Sequence, residues 1–152
     1  GVTEKLAYEL HGSDVVKFRG VRPNVEILDG MRMYDFFLFT SDRGEGWGVV
    51  LNEAMSCGCT VIASDEIGSA PYLVKDGENG MIFKSGNIES LYEKVKFLID
   101  NPEKRQIMSK QGVNTIKNLW SPRNAAISLY ELITDLLRNE HPSIVEGPCS
   151  KV

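Results

Sequence analysis

The chain has 152 residues, 42% of them hydrophobic and 25% charged, the size of one domain at ~100–200 residues each and a composition that excludes intrinsic disorder. A domain of this size buries roughly two thirds of its unfolded surface and needs no disulfide or metal staple. With 17 Lys and Arg against 21 Asp and Glu, the net charge of -4 lacks the basic footprint of a nucleic-acid binder, so no nucleic-acid partner is expected.

In chain order, Leu6 and Leu10 sit one helical turn apart in 3–11 and predict a helix. DVVKFRG, 14–20, is a β-branched and aromatic run closed by glycine and predicts a strand. Pro23 followed by Asn24 predicts a short helix over 24–34 with Asn24 as its cap. DFFLFTS, 35–41, is almost wholly apolar and reads as a strand buried on both faces, as in parallel sheets. A glycine-rich loop, DRGEGWG (42–48), leads into a helix over 49–58 stopped by Gly58. TVIASD (60–65) and MIFKSG (81–86) are the next strands, separated by a loop, a short helix and a DGENG turn in which two glycines supply positive φ.

Asn87 opens a helix in which Ile88, Leu91, Val95 and Leu98 keep helical spacing, and Asn101-Pro102 ends it. Two further helices cover 102–120 and 123–139, parted by Ser121-Pro122, and residues 140–152 read as a flexible tail outside a domain over 1–139. Strand and helix alternate, which predicts an α/β fold: a Rossmann-like parallel sheet with helices on both faces.

The chemistry lies at the segment of buried strand, glycine loop and helix. Ligands in open α/β sheets bind beyond the carboxyl ends of the strands. Gly44, Gly46 and Gly48 allow close backbone approach there, and the N–H groups opening the next helix suit a phosphate. Neither the P-loop nor the G-x-G-x-x-G pattern is present. Glu45 lies in the loop. Glu53, five residues after Gly48, stands roughly 7–8 Å along the helix at ~1.5 Å per residue. That is about the reach from a bound diphosphate to the ribose of the same nucleotide.

EGWGVVLNEAMSCG resembles the E-x7-E signature of retaining glycosyltransferases of the GT-B fold, the glycosyl transferases group 1 or family 4. The likeness continues in order through FRG, DFFLFTS, TVIASD, IGS, VKDGENGMIF and WSPRNAAISLY, covering roughly 14–138. It implies the donor-binding, C-terminal half of a two-domain enzyme. Glu53 would hold the ribose. Backbone N–H groups of Trp47, Gly48, Val49 and Val50 would hold the diphosphate, with Gly46 beside them in the donor site. Glu45 would contact the donor sugar as the candidate catalytic residue, and the base would lie by Val21 and Arg22. The reaction implied is sugar transfer with retention, by a front-face route in which the leaving diphosphate helps deprotonate the acceptor. It needs neither cofactor nor metal; a nucleotide-diphosphate sugar is the substrate.

The resemblance has gaps. Two βα units that bear a phosphate-neutralising Lys and Arg in the family have no counterpart before the helix at 3–11, and neither does the N-terminal acceptor domain. The chain starts at Gly1 and not at Met, so the expectation is a piece of a longer enzyme, inert alone. Tyr72 stands where the family often has Glu. The apolar stripe Ala126, Leu129, Leu132, Ile133 and Leu136 on the last helix implies weak self-association of the piece. Other relatives of the fold, an epimerase or a phosphorylase, are alternatives, as is a non-catalytic nucleotide-binding or interaction module.

No apolar run reaches the ~18 residues of a membrane span, and the first ten residues lack the layout of a secretory signal; peripheral membrane contact of the parent stays open. Cys57, Cys59 and Cys149 are an odd set, two of them in C-x-C, which fits a reducing, cytoplasmic compartment. Buried packing is the favoured reading for the pair. His11 and His141 have no catalytic partner nearby in sequence, and Trp47 is expected to pack the loop.

Overall fold

TVIAS, an uninterrupted apolar run but for its ends, is the middle strand of a parallel sheet, buried along its whole length. The computed structural model describes residues 2–9 and 15–150. The strands are β1 (Phe36–Phe39), β2 (Thr60–Ser64) and β3 (Met81–Phe83), in the order β1-β2-β3, with Phe36 opposite Thr60 and Ile62 opposite Met81. The helices are α1 (Val2–Glu9), α2 (Asn24–Met31), α3 (Val49–Ser56), α4 (Ala70–Leu73), α5 (Ile88–Asp100), α6 (Pro102–Asn118) and α7 (Pro122–Leu137).

Successive side chains of a strand face opposite ways, and β2 uses both faces. Val61 and Ala63 join a core with Leu51, Met55, Ile67 and Leu73. Ile62 joins a second core with Met81, Phe83, Leu98 and Met108. Helices therefore cover both faces, as the alternating pattern predicts.

The stop signals behave as expected. Asn87 accepts from the Ser90 N–H at 2.9 Å and caps α5. Ser121 Oγ accepts from the Asn124 N–H at 3.2 Å, with Pro122 at the first position of α7. In the DGENG turn, Gly77 takes φ +81°. Gly80 does not; it is needed because a Cβ there would lie 2.7 Å from Val61 Cγ2. Buried Asn79 ties the turn down, accepting from Lys75 N–H at 2.7 Å and donating to Leu73 O and to Thr115 Oγ1 on α6.

Three further expectations need correction. The strand predicted over 14–20 is not formed: residues 15–20 are exposed and belong to no ladder, while Asp14 lies outside the described residues. A strand's N–H and C=O groups need a partner edge, and among the described residues β1 pairs with β2 alone. The same fact corrects β1, which is an edge strand with Leu38 42% exposed and not buried on both faces. The second helix ends at Met31, not at 34, and Asn24 does not cap it; Pro23 holds the cap position and the Asn24 side chain bonds elsewhere. The first helix is assigned over Val2–Glu9, and the His11 end of the prediction lies outside the described residues.

Residues 140–150 follow α7 without helix or strand. Ser143 donates to Asp135, and Lys75 Nζ meets Glu146 Oε1 at 2.8 Å. No residue of α7 is buried, and Leu129, Ile133 and Leu136 of its stripe are each about half exposed.

The cysteine pair packs against α2. Cys59 Sγ donates to Met31 O at 3.1 Å, and Cys57 Sγ to Leu28 O at 3.6 Å. Burial, then the neighbouring Cys57 and Asp35, push the Cys59 thiol up from 9.0 to about 11. The folded chain therefore keeps this proton longer than the unfolded chain. The resulting stability is whole below pH 9 and is lost as pH rises through about 11. Urea unfolding of the wild type is expected to weaken over that window more steeply than that of Cys59→Ala; parallel pH profiles would contradict it.

Candidate functional site

The loop from Asp42 to Gly48 leaves the carboxyl end of β1 and enters α3. It is built by short-range bonds first. Asp42 Oδ1 accepts from the Gly44 N–H at 2.8 Å, and Asp42 O from the Glu45 N–H at 3.0 Å, an Asx turn. Two backbone bonds then tie the loop to the segment after β2: Gly68 N–H to Gly46 O at 3.1 Å and Ser69 N–H to Trp47 O at 3.0 Å.

Each glycine has its own reason. Gly48, the residue before α3, lies at φ +74°, and a Cβ there would meet the Phe39 ring at 2.8 Å. A Cβ on Gly68 would fall 2.2 Å from Gly46 O. Gly46 differs: its φ is unremarkable and a Cβ would meet nothing within 4 Å. The fold itself does not require glycine there, and the space over Gly46 is open.

The α3 N-terminus has no side-chain cap. Its first turn bonds Leu51 N–H to Gly48 O at 2.9 Å. Among the described residues the N–H groups of Trp47, Gly48, Val49 and Val50 meet no protein acceptor. Uncapped helix N–H groups carry partial positive charge and attract an anion.

Glu53 is half-buried on α3, and its Oε1 accepts from Asn24 Nδ2 at 2.9 Å. Glu45 is half-buried in the loop. Val21 is fully exposed; Arg22 donates through Nε to Arg19 O at 2.8 Å and stands 3.8 Å from Glu26. Arg43 pairs with Glu66 at 3.0 Å. The loop, Glu45 and Glu53 thus belong to one strand–loop–helix unit, while Val21 and Arg22 lie on the segment that enters α2.

Trp47 does pack the loop, but in company that the sequence did not reveal. Its ring lies 5.5 Å from Tyr72 and 5.6 Å from Trp120, with Tyr72 and Trp120 at 6.2 Å. Its Nε1 donates to Asn52 Oδ1 at 3.0 Å. Tyr72, the departure from the family pattern, is therefore an aromatic neighbour of the loop tryptophan. Asn24 and Gly68 were also missed. Asn24 was readable as a cap, and the IGS run carried the only sign of Gly68.

A cavity of ≈ 400 Å³ lined by Arg43, Glu66, Gly68 and Lys84 adjoins the loop at the carboxyl ends of β2 and β3. A second of ≈ 400 Å³, lined by Asp35, Thr60 and Arg105, lies at the opposite ends of the strands, where ligands of open α/β sheets do not bind. A larger one of ≈ 830 Å³ lies beside Arg22 and α2. Among the described residues no group of three or more His, Cys, Asp or Glu could hold a metal ion, and no helix is long and apolar enough to cross a membrane.

Gly68 and Gly46 predict a contrast. Gly68→Ala is expected to lower stability by roughly 2–4 kcal/mol, because backbone must move, and Gly46→Ala to change it by less than about 0.5 kcal/mol. Urea unfolding of both variants checks this; equal losses would contradict it.

Comparison with known proteins bears on the fold and the family. An uncharacterized glycosyltransferase of Methanocaldococcus jannaschii is 37% identical over 112 residues, 72% of this chain and 31% of that protein. The N-acetyl-alpha-D-glucosaminyl L-malate synthase of Bacillus anthracis is 28% identical over 137 residues, 90% of this chain and 35% of its own. The chain thus spans about a third of the length of these curated relatives. Among solved structures, Anabaena HepE in complex with UDP superposes with a TM-score of 0.71 at 26% identity, over 90% of this chain and 36% of that one; HepE is also solved with UDP-glucose. The fold is that of the C-terminal half of a GT-B glycosyltransferase. The family model for glycosyl transferases group 1 matches residues 2–115, and the chain belongs to that family.

Proposed function

We propose that this chain is the donor-binding part of a retaining glycosyltransferase that uses a nucleotide-diphosphate sugar. The observation that carries the reading is the α3 N-terminus without a side-chain cap, two residues after a Gly46 that leaves room for close approach, with Glu53 on the same helix. The N–H groups of Trp47 to Val50 hold the diphosphate, Glu53 the ribose hydroxyls and Glu45 the donor sugar, with the base by Val21 and Arg22. HepE, solved with UDP and with UDP-glucose, supports a nucleotide sugar as the ligand class.

In the transfer, the bond from the anomeric carbon to the diphosphate breaks while the acceptor oxygen bonds that carbon on the same face. The acceptor proton passes to the departing phosphate oxygen. No protein nucleophile takes part, so the chain's task is electrostatic and positional. The sugar is a hexose in this reading, and the acceptor is held by a domain outside this chain. The chain alone is inactive in this reading, because the acceptor is bound outside it. Free cysteines at 57, 59 and 149 fit a reducing, cytoplasmic setting. The half-exposed stripe of α7 supports weak self-association of the isolated chain.

Thermal-shift titration with UDP, GDP and ADP tests the reading, because a ligand of the folded state alone raises its stability. One nucleotide is expected to stabilise the chain, and Glu53→Ala to weaken it by roughly tenfold, about 1.4 kcal/mol. Gly46→Ala should weaken it too, at unchanged stability of the free protein. Binding that survives both substitutions would contradict the proposal.

A further inference from the structure

Asn24 opens α2 and stands 29 positions from Glu53, yet its Nδ2 donates to Glu53 Oε1 at 2.9 Å. The direction follows from the groups: an ionised carboxylate only accepts and an amide nitrogen only donates. Such a bond between two accessible side chains costs rotamer freedom, so it defines a geometry only where the backbones beneath are fixed. Here they are. At its other end α2 has Met31 buried, and the thiols of Cys57 and Cys59 donate to Leu28 O and Met31 O. Cys57 is also the residue that closes α3. α2 is thus held towards its C-terminal end by the thiol–carbonyl bonds and at its N-terminal end by the bond from Asn24 to Glu53 of α3.

The bond leaves acceptors open. Among the described residues nothing donates to Glu53 Oε2 or to Asn24 Oδ1. A carboxylate held by one oxygen and open at the other is oriented before any ligand arrives, and a vicinal diol presents two O–H donors on adjacent carbons.

On the donor-site reading above, we propose that Asn24 is a positioning residue: it fixes the Glu53 carboxylate so that it receives the ribose 2′- and 3′-hydroxyls, and so sets the preference for ribose over deoxyribose. A plain helix brace would make a different prediction, because loosening α2 would weaken ribo- and deoxyribonucleotides alike.

The test is a calorimetric titration of this chain with UDP, GDP and ADP, each beside its 2′-deoxy form. It is run on the wild type, Asn24→Ala, Asn24→Asp and Glu53→Ala, below each variant's melting temperature. Loss of one hydrogen-bond partner in Asn24→Ala is expected to weaken the preferred ribonucleotide about fivefold and to affect its 2′-deoxy form far less, so that the ratio between them narrows. Asn24→Asp should do worse than alanine, since a second carboxylate repels the first. An unchanged ratio in Asn24→Ala, with or without a uniform loss of affinity, overturns the proposal. If Glu53→Ala still narrows the ratio, the donor-site reading survives that result. A wild type that binds no nucleotide, or whose preference for ribose persists in Glu53→Ala, overturns both.

Discussion

Two backbone hydrogen bonds set the shape of the site: Gly68 N–H to Gly46 O and Ser69 N–H to Trp47 O. They join the loop after β1 to the loop after β2, and they form only because no side chain stands between the two backbones. Gly68 is indispensable there, with Gly46 O occupying the place of its absent Cβ. The loop carbonyls are committed to the second loop, and among the described residues the N–H groups from Trp47 to Val50 meet no protein acceptor. Gly48 at φ +74° then turns the chain into α3. A residue with a Cβ would be strained there and would strike Phe39.

The rest of the molecule supports this junction. The wholly buried β2 carries a core on each face, and Ile67, just beyond it, packs within the first. Trp47, Tyr72 and Trp120 bring the loop, α4 and the end of α6 together, while Arg43 and Glu66 pair across the same two loops. On the other side, Cys57, Cys59 and Asn24 bind α2 to α3. Packed elements surround a short run of N–H groups that are unpaired among the described residues, which is the arrangement that preorganised anion binding requires.

The sequence was most readable where a local rule governs the outcome. TVIAS, the Asn87 cap and the Ser121-Pro122 break each depend on residues within a few positions of one another, and each is found. DVVKFRG failed for the opposite reason: its β-branched and aromatic residues satisfy strand propensity, but a ladder needs a neighbour, and among the described residues none lies beyond β1. Asn24 was misread because a short polar residue after proline is an ordinary cap; its actual partner lies on another helix. The loop glycines were visible as a group, whereas their separate duties were not. Only three-dimensional placement distinguishes Gly48 and Gly68, which the fold requires, from Gly46, which it leaves open. Tyr72 was legible only as an oddity until the ring of Trp47 was found beside it.

The claim on which the functional account turns is that the α3 N-terminus binds a diphosphate. Amide-resolved NMR of the chain titrated with inorganic pyrophosphate addresses it most directly, since weak binding suffices and neither base nor sugar is needed. The account predicts that the largest shifts fall on the N–H groups of Trp47, Gly48, Val49 and Val50. Shifts scattered over surface lysines, or none at these four amides at millimolar pyrophosphate, would contradict it.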